Sequence, residues 1–490
     1  MLFNSFEFLA LLALTFVLYY LPLPGGWRRL WQVALLLVSS ATFYAWGAPQ
    51  LLPLLGFSCV LNSLAAGRIL HQRRASDTGG ARRTMKAAVV VNLILLAIFK
   101  YAGFLAGQLP WLPDSVVAWA RSIPLPVGIS FYTFQGISLV IDVWRRDVSD
   151  HTEEMFTRPG KGRLEVVRDA SFYVAFFPQL VAGPIVKARD FFDQIGAKSW
   201  ASIDWITARR GLVMGYFLKI FVADNLAEQT GLLTIGEEGL RSFGPLGLMA
   251  MLYGYGLQIF ADFAGYSLIA IGLGALFGYT LPPNFNFPYL STSITEFWRR
   301  WHLSLSSWLR DYLYIPLGGN RKGPGRTYLN LFLVMFLGGL WHGAEWKFAL
   351  WGSLHGGFLA LERLIFPGKT PSLPESGLFG STIAIARWFY AFHVVTFLWL
   401  TFLMPDVEHI VGFFRALGSG LSVPGQPLFA LAVYGGVVVA YHFWAWLREH
   451  RDRRWLEHPP ALVEGALHAT MLFLIITNPG APRGFIYFQF

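Results

Sequence analysis

Residues 338–346 read "GGLWHGAEW", with His342 between a tryptophan and a glycine and Glu345 three residues further on. The flanking stretches "NLFLVMFLGG" and "KFALWGSLHGG" are mostly apolar, and a titratable ring is kept in such surroundings at a cost that chemistry usually explains. His302 lies in the polar stretch "FWRRWHLSLSSWLRDY" (297–312), which reads as a helix too charged for lipid, and His355 follows His342 by thirteen residues. An imidazole takes a proton from a hydroxyl near neutral pH and returns it to a leaving group. Three kinds of chemistry compete for these residues. A metal site would draw on His302, His342, Glu345 and His355, but no compact ligand spacing such as HExxH is present, and no metal is expected. A transporter would use the intramembrane charges as a pathway, but no internal symmetry is visible. An acyl transfer enzyme needs one general base and a cavity reached from both faces, which fits best. Seven of the other eight histidines have blander settings: His71, His151, His450 and His458 in charged loops, and His393, His442 and His468 singly in apolar helices.

The elements that hold these residues are those of a membrane protein. Of 490 residues 54% are hydrophobic, 17% aromatic and only 14% charged, and the mean hydropathy is +0.47. Soluble domains carry about 25% charged residues, so a soluble or disordered chain is excluded. The single cysteine, Cys59, excludes an intrachain disulfide and a cysteine metal cluster. The net charge of +10 is spread over short loops between apolar runs, as topology signals are, and does not point to nucleic acid.

The first apolar run, from Phe8, has no basic lead-in or small-residue cleavage site and reads as a retained helix rather than a signal peptide. Further runs are expected at 30–47, 51–66, 87–105, 127–143, 245–277, 328–344, 346–365, 383–404, 426–447 and 462–476. Arginines at 28–29, 68–83, 145–146 and 448–454 mark cytoplasmic loops by the positive-inside rule. This places both ends of the chain on the outer face, with about twelve crossings in all. The stretches 175–192 and 295–319 are too broken or too polar to span, and irregular backbone at membrane depth survives only when buried in protein or lining a cavity. They are expected to be re-entrant or interfacial. With no repeat and no linker, residues 1–490 read as one all-α polytopic helical domain.

Seven stretches in order resemble the membrane-bound O-acyltransferase (MBOAT) family, and within it the bacterial alginate O-acetylation branch. They are "SSATFYAWG" (39–47), "PLPVGISFYTFQ" (124–135), "FFPQLVAGPI" (176–185), "DFAGYSLIAIG" (262–272), "NFNFPY" (284–289), "FWRRWHLSLSSWLRDYLYIPLGGNR" (297–321) and "GGLWHGAEWKFALWGSLHG" (338–356). The resemblance implies a helical bundle whose thin centre joins a cytoplasmic donor tunnel to an outer cavity, with His342 as the catalytic histidine and His302 as the second motif histidine. It implies an O-acetyltransferase of the bacterial inner membrane that takes acetyl groups from acetyl-CoA, without a permanently bound cofactor. The acceptor would be an exopolysaccharide, alginate first, reached through a periplasmic SGNH-type acetyltransferase or similar acceptor protein. Peptidoglycan or cellulose as acceptor, or transport of the donor without catalysis, are the alternatives. Arg299 and Arg300 are candidates for the CoA phosphates, with topology or salt-bridge arginines as the other reading. Leu268 departs from the aspartate that relatives often carry in "GYSD", and no role is placed on it.

Residues 479–490 form a tail ending in "FIYFQF" (485–490). Tyrosine and its aromatic neighbours favour lipid headgroups, so an interfacial anchor is one reading. The resemblance offers another, since the same motif ends related acylation systems, where its tyrosine carries the acyl group. The expected topology puts Tyr487 on the outer face, as such a relay requires.

Overall fold

The computed structural model of the chain describes residues 1–157, 163–181, 183–366, 378–418, 425–450 and 459–486, and among these there is no strand. The expected apolar runs are all helical. Among the described residues five helices are long and apolar enough to cross a membrane, namely Pro49–Arg74, Thr78–Gly107, Gly244–Leu276, Thr382–Leu403 and Gly425–His450, and Phe6–Tyr19 and Ala461–Thr477 are shorter apolar helices. Residues 205–230 were not expected as an element. They form a further helical run, Trp205–Tyr216, Phe217–Ala223 and Asp224–Thr230, whose middle segment is a π-helix.

Two compact units make up the fold: residues 1–212 with 269–282, and residues 213–268 with 283–490. In the first, Phe3, Phe8, Phe43 and Phe177 pack ring against ring. Asn62 and Asn92 exchange amide hydrogen bonds of 3.2 and 2.8 Å between the Leu52–Arg74 and Thr78–Leu96 helices, the kind of polar contact that joins helices where lipid supplies no hydrophobic drive. The irregular stretch after Ala175 is buried from Phe176 to Val181 and again from Gly183 to Ala188. Its polar groups are met by side chains: Phe177 N–H donates to Ser40 Oγ, and the Tyr173 hydroxyl donates to Val186 O. That is how non-helical backbone is tolerated away from water.

The second unit carries the site. Its core is aromatic, with Trp301, Trp351 and Trp399 fully buried. Pro324–His342 and Trp346–Ile365 form a helical hairpin joined by residues 343–345. The hairpin is tight because two glycines face each other, so that a Cβ on Gly339 would lie 2.9 Å from Gly352 Cα. With no side chain at either position, one helix backbone approaches the other closely.

Candidate acyl-transfer site

The polar stretch 297–312 is not the single helix expected. Ile294–Trp298 and Leu303–Leu309 are separate helices, and His302 between them has left-handed backbone (φ +45°, ψ 54°). A non-glycine residue held there costs about 1–3 kcal/mol and is found where the surroundings over-determine it. The surroundings here are a second strand of loop. Asn286 N–H donates to Arg300 O and Leu303 N–H to Asn284 O, both at 2.9 Å. Glu362, on the Trp346–Ile365 helix, fixes the other end by accepting from the backbone N–H groups of Ile294 (2.6 Å) and Thr295 (3.0 Å).

His302 is fully buried. Its Nδ1 lies 3.0 Å from Asn284 Oδ1, which also accepts from Ser304 Oγ at 2.9 Å, while Asn284 Nδ2 donates to Ser267 Oγ. The amide oxygen only accepts, so Nδ1 carries the proton and Nε2 presents a lone pair. Nε2 has no hydrogen-bond partner among the described residues. Burial pushes the His302 pKa down, so the ring is neutral at physiological pH.

His342 is the last residue of its helix and 4% exposed. Its ring meets Trp341, Trp351 and Phe402 edge-on, at 5.1, 5.2 and 5.5 Å between centroids. Trp341 also lies 6.0 Å from His302 and so touches both histidines. His355 joins the cluster through Trp351 and accepts a 3.3 Å bond from Trp298 Nε1. Among the described residues no three His, Cys, Asp or Glu side chains are grouped to hold a metal. Glu345 points elsewhere: its side chain is half exposed, 3.5 Å from Lys347. His393 and His442 each bond the carbonyl four residues back, which accounts for them as packing histidines.

Two cavities adjoin opposite ends of the Trp346–Ile365 helix. One, about 370 Å³, is lined by Glu345 and Lys347 at the helix start, by Lys219, Asp224 and Asp262, and by Arg483 and Ile486 of the tail. The other, about 670 Å³, is lined by Glu362, Arg363 and Phe366 at the helix end, with Arg299, Arg387 and Tyr390. The expected arginine pair is therefore divided. Arg299 faces the larger cavity, whereas Arg300 is held by Glu296 (2.9 Å) and Glu449 (3.2 Å). That is the salt-bridge reading.

The tail runs back into the second unit. Phe485 is fully buried and Ile486 7% exposed; Phe485 packs against Phe263, whose ring meets His302 edge-on at 4.6 Å. Residues 485–486 are thus buried in protein and do not face headgroups. Tyr487 lies outside the described residues. Asn284, Lys219 and Asp262 were not among the expected site residues. Asn284 and Asp262 fall inside recognised motifs, "NFNFPY" and "DFAGYS", which was the available signal; Lys219 had none.

The model of the MBOAT, membrane-bound O-acyltransferase family, matches residues 169–404. A protein of Azotobacter vinelandii named "Probable alginate O-acetylase AlgI" is 40% identical over 83% of this chain and 76% of its own length. Its namesake in Pseudomonas aeruginosa is 38% identical over 86% and 75%. The "Peptidoglycan O-acetyltransferase" of Helicobacter pylori is 33% identical over 83% and 78%. With relatives this similar over most of their length, the chain is a member of the membrane-bound O-acyltransferase family, an acyltransferase.

Proposed function

We propose that the chain moves an acetyl group from cytosolic acetyl-CoA across the inner membrane for O-acetylation of an exopolysaccharide, alginate first. The observation that carries this reading is the chain of contacts from the tail through Phe263 to His302, and through Trp341 to His342, between two cavities at opposite ends of one helix. A helix of twenty residues is about 30 Å long, the thickness of a bilayer's hydrocarbon core. The larger cavity gathers Arg299, Arg363 and Arg387, and its lining residue Asn320 is followed in sequence by the basic residues Arg321, Lys322 and Arg326. Positive charge marks the cytoplasmic face and suits the phosphates of CoA. The smaller cavity then opens outward, where the tail enters. On this orientation the run 205–230 is the twelfth crossing, and both ends of the chain are periplasmic.

The transfer takes two steps. His342 accepts the proton of the Tyr487 hydroxyl while its oxygen attacks the thioester carbonyl; the C–S bond breaks, a C–O bond forms, and the proton passes to the departing CoA thiolate. His302 Nε2 accepts a hydrogen bond in the same site. The acetyl-tyrosine then passes its group to a hydroxyl of a periplasmic SGNH-type partner or of the sugar itself. Dividing the transfer in this way is covalent catalysis. A strain expressing His342→Ala at normal levels should make polysaccharide without O-acetyl groups. Wild-type acetyl content in that strain would remove the enzymatic reading and favour donor transport by another route.

A further inference from the structure

Asp262 opens the "DFAGYS" motif and takes no part in the chemistry above. It is 3% exposed in the middle of the Gly244–Leu276 helix. One carboxylate oxygen lies 2.7 Å from Lys219 Nζ, which is also 2.7 Å from Asp224 Oδ1. Lys219 belongs to the π-helical segment Phe217–Ala223, a distortion frequent at functional sites. Two carboxylates on one ammonium leave a buried trio with net negative charge, which needs further donors.

The tail brings them. Ile486 N–H donates to the second Asp262 oxygen at 2.8 Å, and Arg483 lines the same cavity. The segment is held at its other end as well. Asn225 Nδ2 donates to Asn478 O at 3.1 Å, and Gly480 N–H donates to Ile220 O at 3.3 Å. A Cβ on Gly480 would lie 2.5 Å from both Asn225 N and Asp224 C, so only glycine passes there. Between these ends Phe485 fills a slot against Tyr266, 4.5 Å between ring centroids. A flexible tail resting on a surface would not need a buried charge and a glycine-only contact to receive it.

We propose that Asp262, with Lys219 and Asp224, is a positioning device that latches residues 478–486 of this chain into the second unit and so delivers Tyr487 to the transfer site. The proposal rests on the relay reading for its purpose, but the docking itself is measured without it. Amide hydrogen exchange on the full-length protein, read by mass spectrometry, should find residues 480–486 protected. Asp262→Ala and Gly480→Ala should each speed exchange of that segment about tenfold or more, leave Pro324–His342 as in the wild type, and cut acetylation about tenfold or more. Where Asp262→Ala does not accumulate, Gly480→Ala, a change in the tail itself, decides alone. Unchanged tail exchange in the accumulating variants overturns the latch. So does faster exchange throughout the second unit, the sign of a merely structural ion trio. Tyr487→Phe should keep the tail protected while activity is lost; an active Tyr487→Phe protein with a protected tail overturns the relay and not the latch.

Discussion

The amide oxygen of Asn284 lies 3.0 Å from His302 Nδ1, and this contact decides which ring nitrogen carries the proton. Because Asn284 holds its own oxygen in place through Ser267 and Ser304, His302 is kept as a neutral ring with Nε2 as an acceptor. Asn284→Asp keeps the shape but puts a carboxylate beside the ring, and an adjacent negative charge favours imidazolium. The His302 pKa then rises from its burial-lowered value, and the acceptor is lost as pH falls. Between pH 8 and pH 6 the activity of Asn284→Asp should fall about tenfold further than that of the wild type. A flat profile over that range would separate His302 protonation from turnover.

Arg299 and Arg300 are neighbours in sequence with different surroundings, and their substitutions should differ accordingly. Arg299→Gln removes a cation from the larger cavity; with that cavity as the proposed donor site, it should raise KM for acetyl-CoA about tenfold and leave kcat nearly unchanged, the pattern of a contact equal in the ground and transition states. Arg300→Gln breaks partly exposed pairs with Glu296 and Glu449, worth up to about 1 kcal/mol each. It should lower thermal stability slightly and leave KM unchanged. Equal KM changes in the two variants would argue against the larger cavity as the donor site.

Topology is tested by single thiols in a Cys59→Ser background. Ala75 follows the basic end of the Leu52–Arg74 helix, and Ala481 has an exposed side chain just beyond Ala461–Thr477. In intact spheroplasts an impermeant maleimide should label Ala481→Cys and spare Ala75→Cys. The reverse pattern would put the tail in the cytoplasm, where a relay to a periplasmic acceptor has no route.

The apolar spans were legible because each is a long run in which burial in lipid or protein alone sets the helix. The run 205–230 was not, since Arg209, Arg210, Lys219, Asp224 and Glu228 interrupt its hydropathy. Lys219 and Asp224 are inside the protein because each answers the other's charge, and Asp262 belongs to a helix distant in sequence. The break at His302 was hidden for a related reason. No glycine or proline marks it, and what imposes it is backbone pairing with residues 284–286. The histidines could be singled out from their neighbours, but the partner that sets the His302 tautomer is eighteen residues away. The tail's aromatic residues suit a headgroup or a protein slot equally well, and only tertiary contacts place Phe485 in the second.

Transfer of the acetyl group by the chain's own tail leaves a covalent mark that can be weighed. Purified full-length protein is incubated with acetyl-CoA in the absence of any acceptor, and the peptide containing Tyr487 is weighed by mass spectrometry. A relay requires a gain of one acetyl group, roughly 42 daltons for an ester intermediate, on Tyr487 in the wild type. No gain is expected in His342→Ala, and none in Tyr487→Phe, whose ring is equally apolar but lacks the hydroxyl. An unmodified tail in a preparation that acetylates its acceptor once partner is added, or an active Tyr487→Phe protein, would contradict the relay and leave direct transfer from CoA to the external acceptor in its place.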